Sequence, residues 1–146
     1  LMTPQNTSRW TDWGSRALYV LLSLTLLNPA YADTPEDNAR LEEECRAGNM
    51  KSCGSSGWNY ANADGVKQDY AKANALYQQA CDGGHMRGCN NLGVNYAKGY
   101  GVKQDYAKAN ALFKQACDGG YMRGCNNLGA NYAKGNYGVK HDAAKA

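Results

Sequence analysis

The chain has 146 residues and a formal net charge of +3. It is therefore long enough for one domain and too weakly basic to indicate nucleic-acid binding. No run of like charges resembles a binding tail. We expect no nucleic-acid partner, and the function has to be sought in motifs and repeats.

The first 32 residues contain the three parts of an export signal. Two arginines precede the apolar run of residues 17–27, and Ala-Tyr-Ala at residues 30–32 matches an A-x-A cleavage site. The run is shorter than the roughly 20 apolar residues of a spanning helix. An ordinary buried helix is the alternative to a signal peptide. We predict a signal peptide over residues 1–32, and a mature chain from Asp33 that does not insert into a membrane.

The mature chain repeats itself every 36 residues. Residues 65–93 and 101–129 share one sequence apart from three exchanges, which are Tyr77/Phe113, Gln78/Lys114 and His85/Tyr121. We divide the mature chain into an N-terminal helix (33–52), a degenerate repeat 1 (53–88), repeat 2 (89–124) and a partial repeat 3 (125–146). A period of this length indicates a solenoid, in which no unit buries its apolar face alone.

Each repeat contains two helical patterns. In repeat 2 the first pattern runs from Cys89 to Gly99. The second begins after Asp105, which is a favourable N-cap residue. Ahead of repeat 1 a further helix is expected over residues 35–46.

All six cysteines of the mature chain stand in pairs with seven residues between them. Positions eight apart on one helix are separated by about 12 Å, which is too far for a disulfide, but the glycines between the paired cysteines permit a reversal. An even number of cysteines in an exported chain favours disulfides, and zinc and redox motifs have shorter spacings. The repeat favours local pairing over the other connectivities, namely Cys45–Cys53, Cys81–Cys89 and Cys117–Cys125.

The stretch LGVNYAKGYGVKQDYAKANALFKQACDGG, residues 92–120, resembles the Sel1-like repeat. The paired cysteines resemble those of its cysteine-rich secreted subgroup, the Hcp-type proteins, and the likeness extends over residues 41–146. The resemblance implies an all-α fold, an α/α right-handed superhelical solenoid stapled by disulfides, in the bacterial periplasm or medium. It also implies two functions: adaptor binding of proteins, or β-lactamase-like penicillin binding with slow hydrolysis.

The chain departs from the family pattern at both ends. Ser56 stands where the other copies have Leu92 and Leu128, and the last copy has an extra residue in its loop. Only a short part of a second helix follows that loop, without the polar capping helix that solenoids need. We therefore expect a fragment of a longer repeat array.

The sequence lacks the motifs of conventional β-lactam hydrolysis. No serine of the mature chain has a lysine three positions later, as a serine enzyme would need. His85 and His141 are too few for a metallo-enzyme, and His85, which aligns with Tyr121, reads as an exposed turn residue. We predict no catalytic residue, cofactor or metal site, and whether the chain is an enzyme stays open.

A repeated polar face is the candidate binding site. In this fold class the first helix of each repeat lines the concave groove, and its face opposite the apolar stripe carries asparagines and lysines. The predicted groove residues are Asn59, Asn91, Asn95, Lys98, Asn127, Asn131 and Lys134. Their amides and ammonium groups would bind an extended peptide or a carboxylate through hydrogen bonds, and a solvated face copied by duplication is the alternative.

Two sets of large side chains are assigned to the interior. The tyrosines Tyr60, Tyr96 and Tyr132 belong to the apolar stripe, and the methionines Met86 and Met122 are expected to fill the turns between repeats. The sequence thus predicts a secreted or periplasmic solenoid that binds a protein or peptide. The alternative is a β-lactamase-like penicillin-binding protein, whose ligand would be a β-lactam or a peptidoglycan-related molecule.

Overall fold

The computed structural model describes residues 35–135, which form six helices and contain no strand. The helices are α1 (Pro35–Arg46), α2 (Met50–Asn62), α3 (Tyr70–Asp82), α4 (Met86–Lys98), α5 (Tyr106–Asp118) and α6 (Met122–Lys134). The predicted signal peptide and the second helical pattern of partial repeat 3 lie outside the described residues. Each helix packs against the next one in the chain, so the described part is an α/α solenoid, as predicted.

The second helices of repeats 1 and 2 begin where the sequence predicts them. The Oδ1 atoms of Asp69 and Asp105 accept hydrogen bonds from the backbone N–H groups of Lys72 and Lys108, each at 2.9 Å. These bonds satisfy donors that the first turn of a helix leaves without an intrahelical partner. The first helix of repeat 2 ends at Gly99, which adopts φ 72°, a conformation that glycine reaches without steric cost.

The first helices begin earlier than the sequence pattern predicts. Helix α4 starts at Met86 rather than at Cys89, because Gly88 belongs to the helix and not to the turn. A Cβ atom on Gly88 would lie 2.7 Å from Cβ of Ala80. Glycine is therefore present at this position because it lets the backbones of α3 and α4 approach closely.

The core between paired helices is thin and depends on a close contact between glycine and an aromatic ring. A Cβ atom on Gly57 would lie 2.8 Å from the ring of Tyr77, and one on Gly93 would lie 2.8 Å from the ring of Phe113. The exchange of Tyr77 for Phe113 is one of the three differences between the near-identical copies. Both rings are almost fully buried, so the exchange keeps the packing and changes only the hydroxyl group.

Disulfides cross each reversal between repeats. The bonds join Cys45 to Cys53, Cys81 to Cys89 and Cys117 to Cys125, with Cα–Cα distances of 4.7, 4.6 and 4.6 Å. Each bond links the end of one helix to the first turn of the next. The first two pairs are also core residues, with exposures of 2% or less, so these sulfur atoms fill space that aliphatic side chains would otherwise occupy.

The large side chains assigned to the interior differ in how deeply they are buried. Met86 packs over Gly119 of the next turn, as expected, whereas Met122 is 67% exposed. Tyr60 and Tyr96 are half-buried and pack against the core. Their rings contact the core while their hydroxyl edges reach the surface.

Replacing both Cys81 and Cys89 by alanine is expected to lower the free energy of unfolding by about 2.5 kcal/mol, because the unfolded chain regains the entropy of an open loop. Urea unfolding of the oxidised protein measures the change. The same double exchange at Cys117 and Cys125 is the matched control. The loop has the same length, so the entropic loss is equal, but these cysteines are half-buried and the total cost should be lower because less buried packing is removed. An equal midpoint for wild type and the Cys81/Cys89 variant would show that this staple contributes nothing to stability.

Candidate functional site

The asparagines of the predicted groove pair with asparagines of neighbouring helices. Nδ2 of Asn95 donates to Oδ1 of Asn74 at 2.6 Å, and the same bond, also spanning 21 positions, joins Asn131 to Asn110 at 2.5 Å. In the first copy Nδ2 of Asn59 donates to Oδ1 of Asn38 at 3.1 Å. Each bond ties the first helix of a repeat to the helix that precedes it in the chain.

Asn95 does not lie on an open groove, which corrects the sequence-based assignment. Its side chain is buried, at 6% exposure, because α3 covers the face that was taken as solvent-exposed. Asn74, its acceptor, continues the network by donating to the backbone carbonyl of Tyr100 at 2.7 Å. The Asn95 amide thus holds the inside of the solenoid together and is not available to a ligand.

Asn91 is also engaged within the protein. Its Oδ1 accepts from Nδ2 of Asn90 at 3.4 Å, and its side chain is hydrogen-bonded to Tyr77. Burial raises the pKa of Tyr77 to about 12, although the bond with Asn91 opposes the increase. The Tyr77 phenol is therefore neutral at physiological pH. Its hydrogen bond with the Asn91 side chain engages that side chain within the protein.

Four of the seven predicted residues do come together. Lys98, Asn127, Asn131 and Lys134 line one cavity of about 360 Å³ between the first helices of repeats 2 and 3. Asn59, Asn91 and Asn95 do not line it. Apolar side chains complete its wall, namely Val94, Ala97, Phe113 and Ala130.

Two residues with polar groups in the cavity were missed by the sequence analysis. Gln104 and Tyr106 form one wall, and Nε2 of Gln104 donates to the carbonyl of Ala97 and to the hydroxyl of Tyr106, both at 2.8 Å. The first copy repeats this arrangement with Gln68, Ala61 and Tyr70. The repeated Gly-Val-Lys-Gln-Asp-Tyr motif was the available signal, because a loop copied without change implies a fixed structure.

The cavity is suited to hydrogen-bond acceptors and negative charge. No carboxylate occurs among the described residues that line it, and both lysines stand in the last turns of their helices. The amide of Asn127 is oriented by donating to Oδ1 of Asn90 at 2.9 Å. Oriented amides, ammonium groups and an apolar wall are the features with which proteins bind extended peptide segments.

Two of the three serines of the mature chain are used for structure. Ser52 and Ser56 are buried, and their hydroxyl groups donate to Oε2 of Glu44 at 2.6 Å and to Oδ1 of Asn38 at 3.0 Å. Within residues 35–135 no group of three or more potential ligand side chains could hold a metal ion. The β-lactamase alternative therefore gains no support from this part of the chain.

His85 is packed and not an exposed turn residue, which corrects the sequence-based reading. It is half-buried, and a Cβ atom on Gly54 would lie 3.0 Å from its Cδ2 atom. Burial lowers the pKa of His85, and the positive charges of Arg87 and Lys51 lower it further. His85 thus takes part in the joint between repeats 1 and 2.

A family model for the Sel1 repeat matches residues 54–85, 87–121 and 123–146, which together are more than half of the chain. The chain belongs to the Sel1 repeat family. Modules of this family typically mediate protein interactions. A search of curated proteins found no match.

Solved structures of cysteine-rich and Sel1 repeat proteins share the fold. A Sel1 repeat protein from Oxalobacter formigenes is 32% identical, with TM-score 0.72, covering 78% of this chain and 46% of that one. The protective antigen c5321 of uropathogenic Escherichia coli is 30% identical, with TM-score 0.70, covering 74% and 23%. Helicobacter pylori cysteine-rich protein B is 28% identical, with TM-score 0.63, covering 72% and 79%.

The chain thus spans less than half the length of the first two of these structures. Its disulfides and the cysteine-rich relative indicate an extracytoplasmic protein. None of the helices within residues 35–135 has the length and apolar character needed to cross a membrane.

Replacing Asn95 by alanine is expected to lower the free energy of unfolding by about 1–3 kcal/mol, because the Oδ1 atom of Asn74 loses its donor in a buried position. Chemical denaturation of the oxidised protein measures the effect. Asn126→Ala, at an exposed position, is the control and should change stability by no more than about 0.5 kcal/mol. Equal effects of the two exchanges would contradict the structural role of Asn95.

The lowered pKa of His85 predicts a loss of stability in mild acid. Above the ordinary pKa of 6.5 the histidine is neutral in both the folded and the unfolded chain, and its contribution is complete. As the pH falls from there towards the lowered folded value, the unfolded chain binds the proton first and stability decreases. His85→Tyr, which copies Tyr121, should reduce the drop in melting temperature between pH 7.5 and 5.5. An unchanged drop would assign the acid sensitivity to other groups.

Proposed function

We propose that this protein is an exported, disulfide-stapled interaction module that binds an extended segment of a partner protein. The observation that carries the proposal is the cavity lined by Lys98, Asn127, Asn131 and Lys134. These side chains come from two repeats, so the cavity exists only in the assembled solenoid. Solenoids bind partners through extended surfaces to which several repeats contribute.

The chemistry of the cavity favours a peptide backbone with nearby negative charge. Asn127 and Lys98 offer N–H donors for carbonyl or carboxylate oxygens, while Val94, Ala97 and Ala130 provide apolar contact. Lysine ammonium groups at the cavity attract acidic segments during encounter and disfavour basic ones. The expected partner is therefore an acidic, extended segment of a protein.

Export to the periplasm or the medium of a bacterium is part of the proposal. It is supported by the predicted signal peptide over residues 1–32, and by disulfides, which persist in oxidising compartments. The partner would then be another envelope or secreted protein. A β-lactam or peptidoglycan-related ligand is not favoured by any observation on residues 35–135.

Site-specific cross-linking tests the proposal. A photo-reactive amino acid at Ala130, inside the cavity, is expected to form adducts with an envelope protein of the producing bacterium. The same probe at Ala111, which is exposed on α5 and outside the cavity, should not. Lys98→Glu should reduce the adduct by about fivefold or more, because the reversed charge repels an acidic segment.

Arg123→Glu is the matched control, since it reverses an exposed charge on α6 away from the cavity. It should leave the adduct from Ala130 unchanged. Equal adducts at Ala130 and Ala111, or equal losses with the two charge reversals, would contradict binding in the cavity.

A further inference from the structure

A carboxylate of the N-terminal helix lies between a tyrosine and a lysine of repeat 1. Oε1 of Glu42 on α1 accepts hydrogen bonds from the hydroxyl of Tyr60 at 2.6 Å and from Nζ of Lys72 at 3.0 Å. Asn38 adds a third donor at 3.1 Å. The same Lys72 ammonium donates to the Tyr60 hydroxyl at 2.7 Å and lies 4.3 Å from the centre of its ring.

The electrostatics of this arrangement favour the charged forms. Burial alone would raise the pKa of Glu42, but the hydrogen bonds from Tyr60 and Lys72 and the charge of Lys72 lower it. The bond with Tyr60 raises the pKa of Lys72. Three donors on one partly buried carboxylate oxygen make this a built carboxylate site, filled from within the chain.

The second repeat contains the same tyrosine and lysine without the carboxylate. Nζ of Lys108 lies 4.5 Å from the centre of the Tyr96 ring, close to the 4.3 Å of the first copy. Thirty-six residues after Glu42, however, stands Gln78, which donates to Oδ1 of Asp82 at 2.8 Å along its own helix. No carboxylate within residues 35–135 forms an ion pair with Lys108.

The surroundings of Lys108 leave room for a ligand. Tyr96 and Lys108 line a surface depression of about 650 Å³ together with Lys103 and Asp105. Asp105 is committed to capping α5 through the backbone N–H of Lys108. The first copy has a corresponding depression of about 790 Å³, which is lined by Tyr60 and Lys72. It differs from the second because Glu42 already forms an ion pair with its lysine.

We propose that the second repeat binds a carboxylate of an acidic partner between Tyr96 and Lys108, as the first repeat binds Glu42 of the N-terminal helix. The ammonium group forms the ion pair and the tyrosine hydroxyl donates the second hydrogen bond. This inference deepens the proposed function, because it assigns an acidic group of the partner to a second contact point. It rests on the proposed function only in taking the ligand to be a protein.

Peptide titration of the complete, oxidised, ¹⁵N-labelled chain tests the inference by NMR at low ionic strength. The probe is acetylated, amidated tetraglutamate, whose only carboxylates are side chains. Acetylated tetraglutamine with a free C-terminus tests a terminal carboxylate instead. The expected result is a saturable shift of the amide signals around Tyr96 and Lys108 with one of the probes, and little change around Tyr60 and Lys72.

Three variants make the test specific. Gln78→Glu supplies an internal carboxylate and should weaken binding at Lys108 by about fivefold, as should Lys108→Gln. Glu42→Gln opens the first copy and should produce a new set of shifts around Lys72. Lys51→Gln removes an exposed charge elsewhere and should change the affinity by less than about twofold.

The outcomes separate this inference from the proposed function. Shifts confined to the cavity around Lys98 and Asn127, and unaffected by Lys108→Gln, would overturn the carboxylate site and leave the cavity proposal standing. Equal weakening by Gln78→Glu and Lys51→Gln would show general charge attraction and overturn the site. Absence of shifts with either probe would overturn it too, while the cross-linking at Ala130 decides the proposed function separately.

Discussion

The covalent staple across each reversal is the constraint on which the rest of the solenoid depends. Buried apolar residues of the described part are mostly alanine and cysteine, with few large side chains such as Leu92 and Phe113. A core of this kind gains little from apolar burial, which scales with the area removed from water. The disulfides compensate because they restrict the unfolded chain and also place sulfur atoms in the core.

Near-identical repeats do not give near-identical environments. Asn95 and Asn131 make the same bond to an asparagine 21 positions earlier, yet Asn95 is buried and Asn131 is half-exposed at the edge of the cavity. Its partner Asn110 is buried, and its Nδ2 atom has no hydrogen-bond partner within residues 35–135. In the copy before, the equivalent Nδ2 of Asn74 is satisfied by the carbonyl of Tyr100. The same motif is therefore buried in one copy and half-exposed in the next.

The fold could be predicted from the sequence because its determinants are local. The spacing of Cys81 and Cys89, the N-cap at Asp105 and the glycine at the end of α4 each act within a few residues. The burial of Asn95 could not be predicted in the same way, because a helical-face analysis treats one helix at a time, and α3 covers the face that looked polar. Asparagines placed 21 positions apart in every copy were a sign of pairing between helices, and this sign becomes decisive only when the helix order in space is known.

The cavity and the carboxylate site are adjacent because they share one wall. Gln104 and Tyr106 line both, and the bonds from Gln104 to the carbonyl of Ala97 and to the hydroxyl of Tyr106 fix that wall to the end of α4. That wall lies between Lys98, which lines the cavity, and Lys108, which lines the depression. A partner that places acceptor groups on both sides meets a preorganised surface and loses less conformational entropy on binding than it would at a flexible loop. In the first copy Glu42 pairs with the corresponding Lys72, so repeat 2, which has Gln78 at the position of Glu42, presents the open form of the same surface.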